Sequence, residues 1–172
     1  MAGKKDKIII EVNEEELSGV EEKEKIRVVS FSLGGQYYCI DIKQAKEAVR
    51  LSRITKVPNV PEFIAGVMNL RGEIITLIDL RYFVGITRLK RAEGAKLIVT
   101  DAGGSSVGIL VDTIEETLNV DCDLIEPPLV TLRGDLAVYT KGEIQLDGKI
   151  LVLLDMEKIL DCEEITRLQT ED

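Results

Sequence analysis

Few side chains in this sequence could do chemistry, and most of them are carboxylates. Asp79 and Asp155 close two similar apolar stretches, IITLIDL and ILVLLDM, and two acids can divide general acid and general base work between them. Each is better explained as the cap of a short helical turn after its strand, where a carboxylate accepts the N–H groups that a helix start leaves open. Asp112, Glu115 and Glu116 offer oxygen ligands for a hard cation, yet neither EF-hand spacing nor a pivot glycine accompanies them. A solvated acidic face is the expectation there. Cys39, Cys122 and Cys162 stand far apart without a CxxC pair, which indicates neither a zinc site nor a disulfide framework. They read as small hydrophobes. The AGGSS segment at 102–106 lacks the lysine of a phosphate loop and reads as a hairpin turn. The sequence has no histidine, which removes imidazole triads and proton shuttles. No cofactor, metal or catalytic residue is expected.

One cation differs from the rest by its surroundings. Arg71 lies between Leu70 and Gly72 in GVMNLRGEIITLIDL, a stretch otherwise patterned as core strand. An arginine held partly out of water needs a carboxylate, because an unpaired buried charge costs several kcal/mol. Arg71 is either an exposed turn residue or a fixed cation that pairs within the domain or meets a partner.

These residues need a scaffold, and the sequence points to a mainly β one. It has 172 residues, 45% of them hydrophobic, enough for one substantial core or two small ones in contact. The net charge is −9, which works against nucleic acid or an anionic membrane surface as partner. No apolar run reaches the roughly 18–20 residues that span a bilayer, and the N-terminal stretch lacks a signal-peptide core. The expected location is cytoplasmic, with proteins as partners and no membrane insertion.

Residues 1–25, rich in Glu and Lys, read as a mobile tail. From Ile26 the text changes to short β-type runs separated by glycine turns. RVVSFSL and QYYCIDI flank Gly34 and Gly35 as in a tight hairpin. Residues 43–50 fit either a helical stripe capped by Asp41 or a strand with Ala45, Glu47 and Val49 on one face. SRITKVP reads as a strand stopped by Pro58, and PEFIAGVMNL as a short helix with Pro61 in its first turn. DCEEITRLQTED, with Asp161 followed three residues on by Glu164, suggests a terminal helix over 161–172.

The chain also repeats itself. FIAGVMNLRGEIITLIDLRYFV, from 63, aligns with YTKGEIQLDGKILVLLDMEKIL, from 139, with identities that include Gly66/Gly142, Gly72/Gly148 and Asp79/Asp155. Upstream, Gly34-Gly35 meets Gly103-Gly104 at a separation of 69 rather than 76 residues, which places an insertion around EPPLVTLRGD. Two β units of like design follow, about 26–90 and 95–160. Their strands IITLIDL and ILVLLDM, apolar on both faces, are expected to be buried on both sides. In this alignment Arg71 meets Asp147, so the fold itself does not require a cation at that corner.

VPNVPEFIAGVMNLRGEIITLIDLR resembles the signature of the CheW family of chemotaxis adaptors, VPxxPxFIxGVxNLRGxIxPxIDLR. The resemblance extends through FSLGGQYYCIDI, SVGILVDTIEE and GEIQLDGKILVLLDMEKIL, over roughly 26–160. It implies two intertwined five-stranded SH3-like β-barrels with a few short helices, and no catalysis. It implies a scaffold that couples the cytoplasmic tip of transmembrane chemoreceptors to the regulatory domain of the histidine kinase CheA, recruited to receptor clusters through those partners. Matched position by position, Arg71 and Glu47 fall on a charged pair linked to kinase control, and Ala45 on a receptor contact. Gly66 and Asn69 complete the expected coupling site. Thr76 replaces a usual Pro, Cys39 a usual Gly and Ala48 a larger aliphatic residue. The alternatives are a CheW-like module of another two-component array and, far behind it, an enzyme.

Overall fold

The structure, a computed structural model, describes residues 23–86, 94–128, 134–161 and 165. Residues 1–22 of the tail expected over 1–25 and most of the terminal helix expected over 161–172 lie outside them, while Lys25 already opens the first strand. The elements in chain order are β1 (Lys25–Leu33), β2 (Gln36–Asp41), β3 (Ala45–Arg50), β4 (Ile64–Leu70), β5 (Glu73–Asp79), β6 (Lys96–Ala102), β7 (Ser105–Val111), β8 (Thr113–Asp121), β9 (Ile125–Glu126), β10 (Thr140–Leu146), β11 (Lys149–Leu154) and the short helix α1 (Met156–Leu160). Single 3₁₀ turns link several of them.

The strands form two mixed sheets, one of six strands in the order β8-β1-β2-β11-β10-β9 and one of five in the order β3-β6-β7-β5-β4. Each sheet takes strands from both halves of the chain, joined by one parallel pair, β11 with β2 in the first and β5 with β7 in the second, and by one antiparallel pair, β1 with β8 and β3 with β6. The two halves of the chain are thereby interleaved within each sheet, as the intertwined fold requires.

Three apolar clusters explain the arrangement. Val28, Cys39, Leu118, Val120, Ile144 and Leu153 gather on one face of the six-stranded sheet. Strands from both ends of that sheet meet there, so it curls around its own interior. Met68, Ile75, Leu77, Leu97, Val99 and Leu110 do the same within the five-stranded sheet. The opposite faces of both sheets share the largest cluster, which includes Phe31, Ile40, Ile78, Ile109 and Leu154. Each of these large side chains, once fully buried, stabilises the fold by about 1.5–3 kcal/mol.

β5 therefore runs between two cores, with Ile75 and Leu77 on one side and Ile78 on the other. Two-sided burial holds only for its second half. Ile74 is 63% exposed and its repeat counterpart Ile150 is 45% exposed, because both stand beside the hairpin turn at the outer end of the sheet.

Two readings of the sequence are corrected. Residues 64–70, expected in a helix, form β4, with Ile64, Gly66 and Met68 buried in alternation. SRITKVP contributes no strand, only a single bridge in which Thr55 and Val67 exchange N–H···O bonds of 2.8 Å. Gly66 explains both outcomes. At φ 142° it sits at a register shift in β4, and a Cβ there would stand 2.4 Å from the Thr55 carbonyl oxygen. Only glycine lets the 54–55 segment cross so closely. Gly142 repeats the device, since its Cβ would meet Glu126 O at 2.6 Å where β9 crosses β10. The open choice over 43–50 resolves as a 3₁₀ turn at Ile42–Gln44 followed by β3.

Candidate functional site

Arg71 occupies the first central position of the two-residue turn joining β4 to β5, where Leu70 pairs with Glu73. Its φ is 53° and that of Gly72 is 88°, the primed turn that matches strand twist and favours Asn, Asp or Gly. Asp147, at φ 48° before Gly148, satisfies that preference in the β10–β11 turn. Arginine does not, and a left-handed residue with a Cβ costs roughly 1–2 kcal/mol. Asn69 braces the turn, its Oδ1 accepting from the Gly72 N–H at 2.9 Å.

From this corner Arg71 reaches β3. Its Nη1 and Nη2 donate to Oε1 and Oε2 of Glu47, both at 2.9 Å, a bidentate fork with planar groups aligned. The Arg71 side chain is 70% exposed and that of Glu47 34%. An ion pair this open adds about 0.2–1 kcal/mol at most, less than the backbone cost of the arginine. Stability therefore does not account for Arg71. Only two of the five guanidinium N–H groups serve Glu47, and the others are available to a partner.

The structure thus brings Arg71, Glu47 and Asn69 together. Ala45 opens β3 opposite Thr100, two residues from Glu47, and packs against the shared core. Gly66 lies elsewhere: five residues back along β4, about 17 Å at strand spacing, it serves the crossing described above. Beside the turn, Lys46 pairs with Asp101 at 3.4 Å, so the exposed end of this sheet carries alternating charges.

Asp79 does cap the 3₁₀ turn Leu80–Tyr82, accepting from the Arg81 N–H at 3.1 Å, and Asp155 caps α1 through the Lys158 N–H at 3.2 Å. The sequence did not announce that Asp79 also clamps the Arg81 guanidinium, with a 2.6 Å contact and both side chains under one-fifth exposed. That hydrogen-bonded carboxylate pushes the Arg81 pKa up. Asp112, from the acidic trio, accepts from the Gly34 N–H at 2.8 Å. Among the described residues no group of His, Cys, Asp or Glu is arranged to hold a metal ion, and no helix is long and apolar enough to cross a membrane.

Comparison with known proteins decides the lineage. The family model described as a CheW-like domain matches residues 27–164. The chain belongs to the CheW family. It is 36% identical over 138 residues to the chemotaxis protein CheW of Klebsiella aerogenes, covering 78% of this chain and 81% of that protein. With the CheW of Thermotoga maritima it shares 30% identity over 142 residues, 83% of this chain and 91% of the relative. The crystal structure of the scaffolding protein TtCheW from Thermoanaerobacter tengcongensis superposes with a TM-score of 0.72 at 31% identity, covering 84% of this chain and 94% of that one. This CheW-family chain is accordingly a non-catalytic chemotaxis scaffold.

Proposed function

We propose that this chain couples the cytoplasmic tip of a transmembrane chemoreceptor to the regulatory domain of the histidine kinase CheA, and that the Arg71–Glu47 pair organises the coupling surface. It acts at the cytoplasmic side of receptor clusters, held there by its partners. The observation that carries the reading is the placement of Arg71 against the preference of its own turn. A residue kept in a costly backbone conformation, with little return in stability, points to function.

Glu47 fixes the guanidinium plane, so its remaining donors meet a partner without first losing rotamer freedom. Ala45 offers an adjacent small apolar contact, and Asn69 holds the turn from which Arg71 projects. A scaffold with two curled sheets has two ends, so a single small domain can touch receptor and kinase at once. Simultaneous engagement then raises apparent affinity above that of either contact.

The test is co-sedimentation of the purified chain with receptor signalling fragments and the kinase, with kinase phosphorylation measured in parallel. The chain should enter the pelleted complex and raise receptor-dependent phosphorylation. Unchanged phosphorylation without co-sedimentation overturns the proposal.

A further inference from the structure

The strand ladders extend the internal repeat further than the sequence identities do. Ala48 pairs with Ile98 in the five-stranded sheet, and Thr117 pairs with Val29 in the six-stranded one. Both strands keep the 69-residue separation of the glycine turns, so Glu47 corresponds to Glu116. Arg71 corresponds to Asp147 through the matched turns. The acceptor of the ion pair is thus present twice, and its guanidinium once.

At the second position lies a small, open pocket of about 60 Å³. Glu115, Glu116 and Asp147 line it together with Lys149, whose ammonium rests 4.6 Å from the centre of the Tyr37 ring. Its apolar members are Leu118, Leu146 and Leu151, the counterparts of Val49, Leu70 and Ile75 in the cluster of the five-stranded sheet. Ser30 fixes the acidic wall: its hydroxyl donates to the Glu116 carbonyl oxygen at 2.9 Å and accepts the Glu116 N–H at 3.1 Å. The Glu115 carboxylate accepts from the Thr113 hydroxyl.

We propose that this pocket is a docking site for an arginine side chain of a partner protein, which supplies in trans the guanidinium that Arg71 supplies in cis. The occupant follows from three observations. The first repeat shows the same acceptor, on the same strand position, taking a bidentate guanidinium. Among the described lining residues the two glutamates Glu115 and Glu116 stand beside the one lysine, Lys149, a balance that complements a cation. The leucines suit the methylene stem of arginine, whose charged head stays at the rim. Lysine fits the charge but not the fork of a carboxylate. The site lies on the six-stranded sheet, whereas the Arg71 corner lies on the other. It therefore adds a second contact surface and does not depend on the coupling reading.

The experiment uses the full, isotope-labelled chain and N-acetyl-arginine amide as probe, followed by amide chemical shifts. The amides of Ser30, Glu116 and Asp147 should move together and saturate in the millimolar range. N-acetyl-citrulline amide, of the same shape without the charge, should bind at least tenfold more weakly. Glu116→Gln should weaken the arginine probe by a similar factor. Asp147→Arg, which fills the pocket from within as in the first repeat, should abolish the response while the circular dichroism spectrum stays that of the parent. Equal shifts with citrulline amide, or shifts spread over the acidic surface and unaltered by either substitution, overturn the proposal.

Discussion

Arg71 and Glu47 face each other across 24 residues of sequence through two parallel N–H···O bonds of 2.9 Å. The arginine that makes them stands in a turn position suited to asparagine, aspartate or glycine. Arg71→Asn should therefore leave the protein as stable as the parent or up to about 1 kcal/mol more so, the loss of an exposed pair being offset by relief at φ. Chemical denaturation measures this. A loss of about 2 kcal/mol or more would make Arg71 a structural residue.

Gly66 and Gly142 are expected to be intolerant of even one methyl group. A Cβ at Gly66 would stand 2.4 Å from the Thr55 carbonyl oxygen and one at Gly142 2.6 Å from that of Glu126, while Gly35 faces open space. Gly66→Ala and Gly142→Ala should each cost about 3 kcal/mol, since backbone must move. Gly35→Ala, with φ strain alone, should cost about 1 kcal/mol. Urea midpoints of the three variants check the ranking.

The two aspartate caps should separate in the same assay. Asp155→Ala removes a helix cap and should cost about 1 kcal/mol. Asp79→Ala removes a cap and also the carboxylate holding a largely buried guanidinium, and about 3 kcal/mol is expected. Equal losses would mean that the Arg81 contact adds nothing.

Much of this architecture was legible because its signals are local. Glycine pairs at 34–35 and 103–104 mark primed turns whatever surrounds them, and Asp79 at the end of β5 and Asp155 just after β11 mark helix starts. β4 was not legible as a strand. Pro61 and Glu62 just before it and the apolar residues that follow fit a helix equally well, and what decides is the crossing of residues 54–55 over Gly66, a contact between distant segments. The site was half legible. Arg71 met Asp147 in the sequence alignment, but Glu47 and Glu116 went unmatched because strand residues between the glycine turns share few identities. Carrying the 69-residue separation onward from Gly34 and Gly103 would have paired them.

Burial at Cys39 gives a pH dependence of defined sign. Desolvation pushes its thiol up from 9.0 to about 12. Above pH 9 the unfolded chain releases this proton and the folded chain keeps it, so the unfolded state binds fewer protons and stability falls as pH rises. Between pH 8.5 and 10 the loss from this group is about 1 kcal/mol. Tyr38, also raised by burial, adds to it at higher pH. Urea denaturation of Cys39→Ala beside the parent at both pH values should show the difference between them shrink by that amount. A constant difference would contradict the assignment.

If Arg71 serves coupling and not folding, its loss shows in receptor-dependent phosphorylation by the kinase in the reconstituted complex. Arg71→Glu places an acid where the second repeat already carries Asp147, so circular dichroism should match the parent. Kinase output is expected to fall about tenfold, the equivalent of 1.4 kcal/mol in coupling. Parental output from a folded Arg71→Glu variant would contradict the account.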